Sequence, residues 1–71
     1  MPKLPRISGR EAVRALQKLG FAVARQKGSH IVMKRGADGC IVPNHAELKT
    51  GTLAGVLRQA GVSVEEFVAA L

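Results

Sequence analysis

Apolar residues near the start of the chain recur every three or four positions, at Ala12, Val13, Leu16 and Leu19. This spacing predicts an amphipathic helix from about Gly9 to Leu19. Ser8 and Glu11 form a capping box at its start, because the serine hydroxyl can accept a free N–H while the glutamate reaches back to the cap. Gly20 suits the end of the helix.

The next two segments mix apolar and polar residues in the alternating way that is typical of β-strands. We expect strands at Phe21 to Lys27 and at Ser29 to Arg35. The turn Gly28-Ser29 between them has glycine where a tight hairpin needs a positive φ angle. The predicted register opposes three pairs on one side of this hairpin: Lys27 with His30, Arg25 with Val32, and Val23 with Lys34.

The two sides of the predicted hairpin differ in polarity. Small and flexible apolar residues share the side that we expect to face the core: Ala22, Ala24, Ile31 and Met33. The other side carries the polar set, which we expect to be exposed: Arg25, Lys27, His30 and Lys34. Because side chains alternate along a strand, a slip of one residue would reverse both assignments.

The remainder of the chain predicts a third strand and two helices. Gly36 to Gly39 is typical of a turn, and Cys40 to Val42 of a strand that Pro43 ends. Thr50-Gly51-Thr52 then precedes a helical stripe closed by Gly61: Leu53, Val56, Leu57 and Ala60. A second capping box, Ser63 to Glu66, opens a short helix with its own apolar stripe: Val64, Phe67, Val68 and Leu71.

These elements together predict an α+β fold. The order is helix, three-stranded antiparallel meander, helix and short helix, and helices packed on one face of such a sheet leave its other face available. A chain of 71 residues leads us to expect one domain over residues 1–71. Hydrophobic residues make up 46%, which favours a compact aliphatic core over disorder.

Three features bear on where the protein acts. The apolar runs are too short to span a membrane. The segment from Met1 to Arg6 lacks the long apolar stretch of a signal peptide. Cys40 is the single cysteine and cannot form an internal disulfide, which is typical of a reducing compartment. We therefore expect a cytoplasmic protein.

Positive charge is concentrated in the first half of the chain. Residues 1–35 contain nine Lys and Arg against one Glu, whereas residues 36–71 contain two against four acidic residues. The first helix carries basic residues at helical spacing on its polar side: Arg10, Arg14 and Lys18. This distribution favours a polyanionic partner such as nucleic acid or an anionic membrane surface, although a solvated helix face accounts for the stripe equally well.

His30 is the candidate catalytic residue. Histidine can exchange a proton near neutral pH, so it can act as a general acid or base. In RNA a 2′-hydroxyl adjoins each phosphodiester, and a base that removes its proton lets the oxygen attack phosphorus while nearby cations stabilise the added charge. Lys27 and Lys34, with Arg25, would supply those cations. The alternative is a surface histidine without a role.

Two other chemistry-bearing residues are weaker candidates. His45 lies in the loop after Pro43 and could be a second acid/base group, although a loop histidine with a structural role is the simpler interpretation. Cys40 with His45 does not reach the four ligands of a structural zinc site. We therefore expect neither metal nor cofactor, and we interpret Cys40 as a buried apolar residue.

The order and spacing of short motifs over nearly the whole chain resemble the HicA-type (YcfA-like) mRNA interferase toxins of bacterial toxin–antitoxin systems. The matching segments are Ser8 to Glu11, Leu19 to Phe21, Gly28 to His30, Val42 to His45, Leu48 to Leu53 and Gln59 to Ser63. None of these motifs is specific alone. Many members have a second histidine after the first, where this chain has Ile31.

The resemblance implies a fold like that of double-stranded-RNA-binding domains, with the order α-β-β-β-α. It also implies metal-independent endoribonuclease activity on mRNA and neutralisation by a HicB-type antitoxin. The family's catalytic histidine falls on His30. By family analogy we expect a monomer when the protein is free and a hetero-oligomer with antitoxin.

The leading hypothesis is thus an RNA endonuclease toxin with His30 as general acid or base. The residues expected to bind RNA share basic charge or lie in the hairpin turn: Arg10, Arg14, Arg25, Lys27, Gly28, Ser29 and Lys34. Two alternatives stay open. One is a non-catalytic RNA-binding module of the same fold, and the other is an interaction subunit whose basic face meets an acidic antitoxin.

Overall fold

The computed structural model describes residues 3–71, so Met1 and Pro2 of the amino-terminal segment lie outside the described residues. Three helices and three strands follow one another in the predicted order: α1 (Gly9–Lys18), β1 (Ala22–Lys27), β2 (His30–Arg35), β3 (Asp38–Pro43), α2 (Thr50–Ala60) and α3 (Val64–Ala70). The strands form one antiparallel sheet in the order β1-β2-β3. The predicted α+β fold is confirmed.

The hairpin between β1 and β2 has the predicted turn. Lys27 pairs with His30 across the two-residue loop, Arg25 pairs with Val32, and Gly28 has a φ of 60°. The third predicted pair, Val23 with Lys34, is wrong: Val23 opposes Met33, and Lys34 opposes Ala22. The register shifts between Val23 and Arg25, because an extra residue in one strand of a bulge displaces every pair beyond it.

The side chains that face the core are only partly those predicted. Ile31 and Met33 of β2 are buried, as expected. Ala22 and Ala24 are exposed, and so is every other residue of β1. The expectation for these two alanines is wrong, because β1 is an edge strand and the bulge carries its backbone out of the predicted alternation.

Two elements begin two or more residues before their predicted starts. The second turn contains only Gly36 and Ala37, and β3 begins at Asp38, which pairs with Arg35. A two-residue loop with glycine at positive φ is enough to reverse the chain, so the predicted four-residue turn is too long. Helix α2 begins at Thr50 rather than after Thr52, and Gly61 caps its end with a φ of 71°, as predicted.

The helices bury their apolar stripes against one face of the sheet. Both predicted capping boxes are present, at Ser8 with Glu11 and at Ser63 with Glu66. The most deeply buried large side chains come from all three helices, two strands and the β3–α2 loop: Phe67, Leu16, Met33, Leu48, Leu53, Leu57 and Val42. Leu71, the last residue of the predicted apolar stripe, is 47% exposed and lies one residue beyond the end of α3.

Helix α2 runs beside β3, with Val56, Leu57 and Ala60 buried. Its Gln59 reaches the sheet edge, where the backbone N–H of Ile41 donates to the Gln59 Oε1 at 3.3 Å. This bond satisfies one edge group of β3 that would otherwise need water or a partner. In the part of the chain that the structure describes, each helix is too short or too polar to cross a bilayer.

Candidate nucleic-acid interface

The face of the sheet opposite the buried side chains carries three rows of opposed residues, which we call the open face. The rows follow from the register of the strands: Lys27–His30–Pro43, Arg25–Val32–Ile41 and Ala22–Lys34–Gly39. Directly opposed residues place their β-carbons about 4.5–5.5 Å apart. His30 is therefore an immediate neighbour of Lys27 on one side and of Pro43 on the other.

His30 is exposed, but its backbone is held firmly. It begins β2, the central strand, and pairs with both neighbouring strands. The turn residue before it is also fixed, because the Asn44 N–H donates to the Ser29 carbonyl at 2.6 Å. The residue after Asn44 is His45, and its backbone carbonyl accepts a hydrogen bond of 2.9 Å from the Gly9 N–H at the start of α1. The backbone at His30 is thus tied to both β3 and the loop that follows it.

The charged side chains of the open face are all basic. Arg25, Lys27 and Lys34 are exposed on the same side of the sheet as His30. Within residues 3–71 no acidic side chain shares this face, since Asp38 at the end of β3 has the parity of the buried positions and pairs with Arg35 at 3.7 Å. A cationic surface without compensating carboxylates attracts an anionic polymer.

The structure brings together some of the predicted RNA-binding residues and separates others. Gly28 and Ser29 form the turn at the end of the open face. Arg10 lies on the other side of the sheet, beside Gln26 and Ile31.

Arg14 lies on a third surface. It lines a depression with Lys18 and Leu71, at the carboxyl end of the chain. The basic stripe of α1 therefore divides between two surfaces, and neither belongs to the open face.

The two weaker candidates have structural positions. His45 is exposed, and its carbonyl anchors the amino terminus of α1 through Gly9. Cys40 is 4% exposed and faces the core, where burial raises the pKa of its thiol above the ordinary value of 9.0. No group of three metal-ligating side chains comes together within the described residues.

Three residues near His30 were not predicted from sequence. Pro43 is its cross-strand neighbour, Ile41 is 46% exposed on the same face, and Gln59 reaches this edge from α2. The alternation of β3 could have placed Ile41 on the open face once its start at Asp38 was known. Nothing in the sequence near Gln59 indicates that α2 runs along β3, because that contact depends on tertiary packing.

The fold is thus that of a small α+β protein whose open sheet face carries a histidine and three basic residues. The model of the family described as the HicA toxin of bacterial toxin–antitoxin systems matches residues 9–62. The chain belongs to this family. The match runs from the first residue of α1 past the end of α2 and includes His30. Among curated proteins, none matches the chain.

Proposed function

We propose that this toxin is an endoribonuclease that cuts mRNA in the cytoplasm, with His30 as its general acid or base. The observation that carries the proposal is the row Lys27–His30–Pro43 on the open face. It supports the proposal because His30 and Lys27 are paired across the hairpin and both are exposed. A long polymer can reach such a surface, whereas it could not enter a closed pocket.

The reaction uses a nucleophile that RNA itself carries. His30 takes the proton of a 2′-hydroxyl, and the oxygen attacks the adjacent phosphorus. The bond from phosphorus to the 5′ oxygen breaks, and that oxygen takes a proton from the solvent around this exposed site. The products are a 2′,3′-cyclic phosphate and a new 5′-hydroxyl. His30 then returns its proton to water, so no metal is required for the balance of the step.

The basic residues of the open face serve two purposes in this proposal. Lys27 is next to His30 and stabilises the extra negative charge that develops on the phosphate. Arg25 and Lys34 lie along the same face and hold neighbouring phosphates. General acid–base catalysis contributes roughly 10²–10⁴-fold, so a slow nuclease is expected.

The family implies an antitoxin partner, and we propose that it is of the HicB type. Its binding would neutralise the toxin in a hetero-oligomer, while the free toxin would be a monomer. An antitoxin with acidic side chains would complement the open face, whose charged groups are basic.

The test compares His30→Ala with His45→Ala, a matched change of the other exposed histidine. Each purified protein is incubated with a defined RNA in the presence of EDTA, and the ends of the fragments are analysed. We expect the wild type and His45→Ala to give cyclic-phosphate ends. His30→Ala should cut at least 100-fold more slowly.

The possible outcomes separate the candidate functions. Equal cleavage by wild type and His30→Ala would remove His30 from the mechanism. RNA binding without cleavage by the wild type would favour a non-catalytic module. Binding of the antitoxin without any binding of RNA would favour an interaction subunit.

A further inference from the structure

A groove of about 440 Å³ lies between β3 and α2, beside the open face. Its strand wall consists of Ile41 and Pro43, and its helix wall includes Thr52, Gly55 and Gln59. Nothing lies within 4 Å of the position that a β-carbon would take at Gly55. The helix surface is therefore open at this point, and the groove is accessible from the side of the sheet that carries His30.

The groove is continuous with the row that holds His30. Pro43 is both the cross-strand neighbour of His30 and a wall of the groove. Ile41 lies two residues further along β3 on the same face. A second shallow depression on the other side of Ile41 is lined by Val32, Gly39 and Gln59. A polymer that is held at His30 and continues along β3 would pass over Ile41.

The groove offers an apolar surface for the face of a flat ring and a polar group for its edge. Ile41, 46% exposed, offers aliphatic surface. The Gln59 amide is oriented by the bond that its oxygen accepts from the Ile41 N–H at 3.3 Å. Its nitrogen can therefore donate to the hydrogen-bonding edge of a base.

Charge around the groove complements a phosphate chain. Arg58 of α2 lines the groove itself. Lys34 and Arg25 lie on the open face in the rows next to it. An apolar floor between cations is the arrangement by which proteins bind unstacked bases while neutralising the backbone.

We propose that this groove receives an unpaired nucleobase of single-stranded RNA, next to the phosphate held at His30. The inference rests on the proposed function, because the position of the phosphate comes from it. Ile41 contacts the face of the base and Gln59 reads its edge. A base in a duplex is stacked and paired, so it cannot enter, and the substrate class is single-stranded RNA.

The experiment measures binding without cleavage. A fluorescent RNA with 2′-O-methyl groups cannot be cut through its 2′-hydroxyl, and its anisotropy is followed as protein is added. The same strand annealed to its complement is the duplex probe. Ile41→Ala is compared with Val23→Ala, because Val23 is 44% exposed in a strand but faces the other side of the sheet.

We expect Ile41→Ala to raise the Kd for the single strand about fivefold to tenfold, whereas Val23→Ala leaves it within twofold. Gly55→Leu, which fills the groove from the helix side, should raise it similarly. Thermal unfolding of each variant verifies that it is folded. The wild type should bind the duplex at least tenfold more weakly than the single strand.

Three results would overturn the inference. They are equal affinity for single strand and duplex, equal effects of Ile41→Ala and Val23→Ala, and weakening by Ile41→Ala of antitoxin binding alone. The last would make the groove a protein-docking surface. Because the probe cannot be cleaved, the outcome is independent of whether His30 is catalytic, so failure of the inference and failure of the proposed nuclease activity are distinguishable.

Discussion

Gly9 lies in direct backbone contact with Pro43: a β-carbon at Gly9 would overlap the Pro43 carbonyl oxygen. The Gly9 N–H also donates to the carbonyl of His45 at 2.9 Å. The first residue of α1 thus holds the segment that leaves β3. Pro43 pairs with His30, so the start of α1 packs against the strand residue next to the candidate catalytic histidine.

Gly9→Ala should therefore destabilise the protein and disturb the site at the same time. The added methyl group must displace backbone rather than a flexible side chain, and overpacking of this kind costs about 1–3 kcal/mol. Denaturant unfolding should give the loss of stability. RNA cleavage by the folded fraction should also fall, because the displaced backbone of Pro43 is the pairing partner of His30.

Gly55→Ala is the matched control for this substitution. A β-carbon at Gly55 meets nothing within 4 Å, and the residue lies in the middle of α2. Alanine should stabilise the helix by about 0.5–1 kcal/mol, since glycine has the greater backbone freedom in the unfolded chain. Destabilisation at both positions would contradict the contact that we describe for Gly9.

The local elements of the fold could be predicted because their signals are local. The capping pairs Ser8–Glu11 and Ser63–Glu66 lie within one helical turn, and Gly28 marks a two-residue hairpin. The bulge near Ala24 has no comparable signal. It changed the partner of Lys34 from Val23 to Ala22, because one extra residue shifts every pair beyond it.

The candidate site could be predicted only where one hairpin contains it. Lys27 and His30 are neighbours across a turn, so their pairing follows from the turn alone. Arg10 and Arg14 are on the same helix but on different surfaces, and this depends on where α3 and the hairpin pack against α1. The groove beside Ile41 likewise depends on the placement of α2.

Lys27→Gln should reduce the salt dependence of RNA binding. Each phosphate contact with a single strand contributes about 0.7 to the slope of log affinity against log salt concentration. Titrations at several salt concentrations should therefore give a slope smaller by about 0.7 for this variant. Lys18→Gln removes the same charge from the far side of α1 and should leave the slope unchanged.

Arg35→Lys should destabilise the protein although it keeps the charge. The Arg35 guanidinium lies 4.6 Å from the centre of the Phe21 ring and donates to the Leu19 carbonyl at 2.9 Å. A lysine cannot stack on the ring and donate to the helix end with the same planar group. We expect a loss of about 1–2 kcal/mol in urea unfolding.

Arg25→Lys is the control for that change, because Arg25 is exposed on the open face. It should alter stability by less than about 0.5 kcal/mol. A similar loss in both variants would mean that the contacts of Arg35 with Phe21 and Leu19 contribute nothing beyond an exposed charge.

Cys40 should make the protein less stable at alkaline pH. Burial raises the pKa of its thiol above 9.0, so the folded chain keeps the proton at a pH where the unfolded chain has lost it. The folded state then binds more protons, and its stability falls as the pH rises above about 9, whereas below that value the contribution is fully present. Unfolding measured from pH 7 to 10 should show a steeper decline for the wild type than for Cys40→Ala, which has no thiol to ionise. Parallel declines would show that Cys40 is as accessible to water in the folded protein as in the unfolded chain.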